Sequence, residues 1–110
     1  MKRMFYVPLL MAAALGVTPT FAQDAKAGRA KASAQCAVCH GTDGIAQLPT
    51  AANLAGQQEV YLAKALEDFR AGRRVNEMMT VVSKDLTDAD IANLAAWYAS
   101  IKITVQVPAR

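Results

Sequence analysis

Cys36-Ala37-Val38-Cys39-His40 limits what this chain can become more than any other feature. His40 is the sole histidine, and Cys36 and Cys39 are the two cysteines, in 110 residues. All of the imidazole and thiol ligands are therefore packed into five consecutive positions. A zinc finger with four Cys/His ligands cannot be assembled from them, nor can an iron–sulfur cluster held by four cysteines. Zinc would need a carboxylate as its fourth protein ligand.

The pattern C-x-x-C-H is the attachment site of covalent haem c. Two thiols at this spacing near a helix end can each bond one vinyl group of the same porphyrin. The histidine directly after the second thiol is then carried beneath the iron as its proximal ligand. A second haem of this kind is excluded by residue count. Two other readings compete. A thioredoxin-like pair opens a helix that follows a strand, whereas Cys36 and Cys39 close a helical pattern with no strand before it. A disulfide across two residues closes almost no loop and stabilises little. The sixth iron position cannot be a second imidazole. Beyond residue 22 the methionines are Met78 and Met79, in a stretch with no helical apolar period. A lone methionine ordinarily fills a core. A pair in an irregular segment between helices is better placed to ligate, and a thioether opposite histidine raises the reduction potential. Six-coordinate iron in both oxidation states moves little on electron transfer, which suits a carrier.

Lys2 and Arg3 precede an apolar run over residues 4–17, and Thr18-Pro19-Thr20-Phe21-Ala22 follows. This is the layout of a secretory signal cleaved after Ala22. The run falls short of the ~20 residues that span a bilayer, and Pro8 interrupts it. The expected mature chain is residues 23–110, periplasmic and not membrane-spanning once the signal is removed. The formal charge of +3 falls with it, since ten basic residues then face nine acidic ones and leave +1. No basic stripe remains to bind nucleic acid. An oxidising compartment also suits exported cysteines.

Three helical patterns divide the rest, so an all-α fold is expected. The first is alanine-rich from Asp24 to about Cys39, with Gly41 as its stop. The second runs from about Gln57 to Arg70, with Leu62, Ala65, Leu66 and Phe69 on one face and Lys64 paired with Asp68 on the other. The third follows the capping-box sequence Thr87-Asp88-Ala89-Asp90 and presents Ile91, Leu94, Ala95 and Tyr98, widened by Trp97 and Ile101. Residues 41–56 and 71–86 read as irregular. Residues 103–107 alternate like a strand with no partner, an extended tail from about residue 102. Loops of about fifteen residues in so small a domain need something to wrap.

Order and spacing across residues 24–101 resemble class I c-type cytochromes, in particular the small bacterial cytochrome c553 and cytochrome c4 type of domain. The resemblance is carried by Cys36-Ala37-Val38-Cys39-His40-Gly41, Asp43-Gly44, Leu54-Ala55-Gly56-Gln57 and Tyr61-Leu62 with Leu66 and Phe69. It continues through Gly72-Arg73-Arg74, Asn76, Met78-Met79, Leu86-Thr87-Asp88-Ala89-Asp90-Ile91 and Leu94-Ala95-Ala96-Trp97-Tyr98. It implies a cytochrome c fold of three main helices, with long loops around one haem c bonded to Cys36 and Cys39. His40 is the implied proximal ligand. The distal ligand implied is Met79, seven residues before Leu86, with Met78 as the alternative. Tyr61, Phe69 and Tyr98 are expected in the core or haem pocket, and Arg73 and Arg74 in solvent. The chain departs from the family in three places. Ala52 stands where a proline usually offers its carbonyl to the proximal histidine. Alanines replace an aromatic on the first helix, with Gly28 permitting close approach of the last. Trp97 stands where tyrosine is commoner.

The function implied is that of a monohaem, non-enzymatic, monomeric carrier of single electrons between larger redox proteins in the periplasm. The alternative is a haem subunit of a periplasmic oxidoreductase complex. A ligand-binding haem sensor is disfavoured by Met78-Met79 and the lack of a distal histidine.

Overall fold

The computed structural model describes residues 23–109, so the signal segment expected over residues 1–22 lies outside the described residues. The Asp24 carboxylate accepts the backbone N–H groups of Lys26 and Ala27 and opens α1, Ala25–Gln35. Two of the donors that a helix start leaves orphaned are satisfied in this way. The single helix expected through Cys39 is interrupted. Cys36 stretches to φ −111° within the right-handed region, and the chain resumes as α2, Ala37–His40. The break is shallow, because the Cys36 N–H still reaches the Ala32 carbonyl and the His40 N–H reaches that of Cys36, both at 2.9 Å. Alanine-rich composition reports propensity and cannot register a one-residue break made where Cys36 packs against the core.

The second helix, α3, is Glu59–Arg70, two residues shorter at its start than expected. Gln58 precedes it in extended conformation and provides no side-chain cap. The segment 71–86 is not wholly irregular. It contains α4, Glu77–Ser83, which carries both methionines. Asn76 caps it, its side-chain oxygen accepting the Met78 and Met79 N–H groups at 3.1 and 3.0 Å. A seven-residue helix is too short to display an apolar period, so the capping asparagine is its one legible mark. The last helix, α5, is Asp88–Ser100. Its reciprocal capping box is formed as expected: Thr87 Oγ1 accepts from the Asp90 N–H, and Asp90 accepts from the Thr87 N–H, each at 3.0 Å.

Helix α5 is the centre of the packing, with α1 and α3 both against it and α4 against α3. Ala32, Leu62, Leu86, Ile91, Leu94, Ala95 and Tyr98 form the buried core. α1 and α5 meet at Gly28, where an added Cβ would lie 1.9 Å from the Asn93 carbonyl oxygen. Asn93 Oδ1 also accepts the Asp24 N–H at 2.8 Å, which fastens the start of α1 to α5. Beyond α5 the described residues have no regular structure, and residues 102–109 are exposed. Ile103 lies over Gly56. The described residues contain no strand, and none of their helices is long and apolar enough to cross a membrane.

Asp90 also pairs with Lys31 of α1 at 3.2 Å. Partial burial raises its pKa, but the Thr87 hydrogen bonds and the Lys31 ammonium outweigh burial and hold it below the usual carboxylate range. A depressed carboxyl contributes stability above its unfolded pKa and loses it as pH falls through the folded value. Asp90→Asn is therefore expected to cost about 1 kcal/mol at neutral pH, chiefly through the cap. The difference from wild type should shrink below about pH 4, where the unfolded carboxyl protonates. Urea denaturation of both proteins at pH 7 and in acid checks it. A pH-independent difference would show that the carboxylate charge contributes nothing.

Candidate functional site

His40 closes α2 and is nine-tenths buried. Its Nδ1 lies 2.7 Å from the Ala52 carbonyl oxygen. A carbonyl only accepts, so Nδ1 carries the proton and Nε2 keeps its lone pair free for a metal. The carbonyl at position 52 thus meets the histidine without a proline to stiffen it.

A reversing loop brings Ala52 there. Gly41 turns the chain at φ 72°, and a Cβ on it would stand 2.6 Å from the Ile45 carbonyl oxygen. This is a position for glycine alone. Past the turn, the Gln47 N–H donates to the Cys39 carbonyl at 2.8 Å. The Gly44 carbonyl accepts the N–H groups of Leu54 and Ala55 at 2.7 and 3.1 Å. Asn53 Oδ1 accepts the Ala46 N–H at 2.8 Å. From α5, the Tyr98 hydroxyl donates to the Gly41 carbonyl at 3.1 Å and Trp97 Nε1–H to the Thr42 carbonyl at 2.7 Å.

Cys36 and Cys39 are both free thiols, half-buried. Burial pushes the Cys36 thiol up, and a hydrogen bond with the Tyr98 hydroxyl acts the other way. Burial, and then the neighbouring Cys36, push the Tyr98 phenol up as well, so it stays a donor at neutral pH.

α4 separates Met79, the expected ligand, from Met78, the alternative. Successive residues on a helix point about 100° apart, whereas residues four apart share a face. Met79 shares its face with Ser83, which is fully buried, and Met79 itself is half-buried. Met78 points away and is 57% exposed. The hydroxyl of Ser83 finds no partner among the described residues.

The other expected positions divide. Phe69 and Tyr98 are buried, while Tyr61 is half exposed. Arg73 and Arg74 are exposed as expected, yet each has a partner. Arg73 Nε donates to Asp68 at 2.8 Å, and the Arg74 guanidinium lies 4.7 Å from the centre of the Phe69 ring. A surface recess of about 510 Å³ opens between Arg29 and Trp97, and one of about 540 Å³ lies between α3 and α5. Neither is lined by His40 or Met79.

The donor set comprises two thiols, one imidazole with Nε2 free and one inward-facing thioether. No group of three or more His, Cys, Asp or Glu among the described residues is arranged to hold a metal ion. The set suits an iron that arrives with its own four nitrogens, and so fits haem c.

The family described as cytochrome c oxidase, cbb3-type, subunit III matches residues 23–97. Cytochrome c4 of Pseudomonas aeruginosa is 43% identical over 99 residues, covering 90% of this chain and 49% of that protein. Cytochrome c-554(548) of Halomonas halodenitrificans is 42% identical over 82 residues, covering 72% of this chain and 98% of that protein. The crystal structure of reduced cytochrome c4 from Pseudomonas stutzeri matches with a TM-score of 0.65 at 39% identity, over 76% of this chain and 48% of that one. The chain thus spans about half the length of the cytochromes c4 that it matches. With its C-x-x-C-H motif, all-helical fold and these relatives taken together, the chain belongs to the c-type cytochromes, is of the cytochrome c4 type, and has covalently bound haem c as its cofactor.

Proposed function

We propose that the chain is a periplasmic monohaem carrier of single electrons between larger redox proteins. The observation that carries this reading is the single C-x-x-C-H whose histidine has Nδ1 committed to the Ala52 carbonyl and Nε2 free. In this reading Cys36 and Cys39 hold the porphyrin by thioether bonds, His40 Nε2 is the proximal ligand and Met79 the distal one. When bound, haem c supplies an iron that accepts and returns one electron. The Ala52 carbonyl makes the imidazole of His40 a stronger electron donor, while the thioether of Met79 favours the reduced state. Both ligands are carried on capped or hydrogen-bonded helical segments, which supports one ligand set in both oxidation states. Residues 1–22 act as the export signal. With +1 on the remaining chain and about two propionate charges, the loaded protein is near neutral, so docking depends weakly on salt.

Optical spectra of the exported, haem-loaded protein, oxidised and reduced, with and without carbon monoxide, test this. The expected result is low-spin spectra in both states that ignore carbon monoxide. Binding of carbon monoxide by the wild type would replace the carrier by a ligand-binding haem protein. Absence of haem after export with a working maturation system would overturn the reading.

A further inference from the structure

We propose that Trp97 and Tyr98 are positioning residues for His40, acting through the loop that presents the Ala52 carbonyl. The proposal rests on the reading of His40 as the proximal ligand. The orientation of His40 depends on one hydrogen bond whose acceptor, Ala52, lies twelve residues further on, in a stretch with no regular secondary structure. Such a segment moves unless tied down. Its internal bonds, from Gly44 to Leu54 and Ala55, join the loop to itself but not to the rest of the protein.

Apart from the bond of the Gln47 N–H to the Cys39 carbonyl of α2, α5 supplies the external ties. Trp97 and Tyr98 are consecutive, so their side chains diverge by about 100°. They donate to two successive carbonyls, Trp97 to Thr42 at 2.7 Å and Tyr98 to Gly41 at 3.1 Å. The far end is held as well, since the Gly56 N–H donates to the Tyr98 carbonyl at 2.9 Å. Both ends of the loop are thus attached to one helix within two residues. The grip falls next to Gly41, where a glycine backbone is least able to hold its own conformation. α1 steadies the tryptophan in turn, with the Arg29 guanidinium 5.7 Å from the centre of its ring. The indole, which donates to the Thr42 carbonyl, therefore does more than fill space.

Removing a tie lets the Ala52 carbonyl drift from His40 Nδ1–H. The weakened bond leaves the imidazole a poorer electron donor, and the reduction potential rises. Trp97→Phe keeps an aromatic ring but loses the N–H and part of the indole's bulk. Tyr98→Phe is isosteric, keeps its ring in the core and loses only the hydroxyl. Leu94→Ala, in the same helix and fully buried, weakens packing without removing a donor. The measurements are made on haem-loaded full chains, under conditions where all are folded. They are the reduction potential and, in the reduced protein, the solvent exchange of the His40 Nδ1 proton by NMR. Both phenylalanine variants should show a raised potential and exchange faster by about tenfold, while Leu94→Ala stays at wild-type values. Unchanged potential and exchange in the phenylalanine variants would overturn the proposal, as would equal changes in Leu94→Ala. Should Trp97→Phe not fold, Tyr98→Phe decides alone. Haem-free wild type would refute the underlying reading instead, and is told apart by haem content.

Discussion

Gly28→Ala is expected to destabilise the protein by about 3 kcal/mol, the upper end of what overpacking costs. In a solvent-facing helix the same change would stabilise by up to about 1 kcal/mol, because alanine loses less backbone entropy than glycine. The sign is reversed here by position. The new methyl would meet the Asn93 carbonyl oxygen at 1.9 Å and its carbon at 2.5 Å. These are backbone atoms of α5 and cannot rotate aside as a side-chain tip would. The helices must separate, which loosens Ala32 against Ile91, Leu94 and Ala95 in the shared core. The strain also reaches the Asp24–Asn93 bond. Denaturant titration of wild type and variant measures the difference. A variant as stable as wild type would mean that α1 and α5 cross further apart than described.

Met79→Ala and Met78→Ala should give opposite results. With the inward-facing thioether gone, the reduced protein is expected to bind carbon monoxide and its reduction potential to fall, by on the order of 0.1 V or more. Met78→Ala should remain indifferent to carbon monoxide, since its side chain is mostly in solvent. Carbon monoxide titration and potentiometry of the two variants settle the assignment. The reverse pattern would require α4 to turn by about 100° or unwind, and would overturn the reading of its inner face.

Much of this was legible because it is local. Asp24 and the Thr87–Asp90 box each act within a few residues, and both cap where the sequence placed them. The apolar faces of α3 and α5 follow from period, and Leu62, Phe69, Ile91, Leu94 and Tyr98 are buried accordingly. The close approach at Gly28 was an expectation drawn beside the family resemblance, and the geometry made it definite. α4 was missed because seven residues display no period, although Asn76 marked its start. The break at Cys36 was missed because propensity has no means of recording it.

The sequence by itself determined the chemistry of the site: two thiols and one imidazole at a spacing with few uses, two neighbouring methionines, and three helical patterns, two of them with an apolar face. These are properties of adjacent residues and survive without a fold. The family resemblance already pointed to Met79 and to the carbonyl of residue 52; the tertiary structure puts that carbonyl against His40 and Met79 on the inner face of α4, and it alone decided that α5 grips the turn beyond. The bonds of that grip join residues 55 and 57 positions apart. They form once α5 has packed against α1 and α3. No local pattern encodes an acceptor that distant, because a backbone carbonyl is the same in every residue and only its placement makes it a partner.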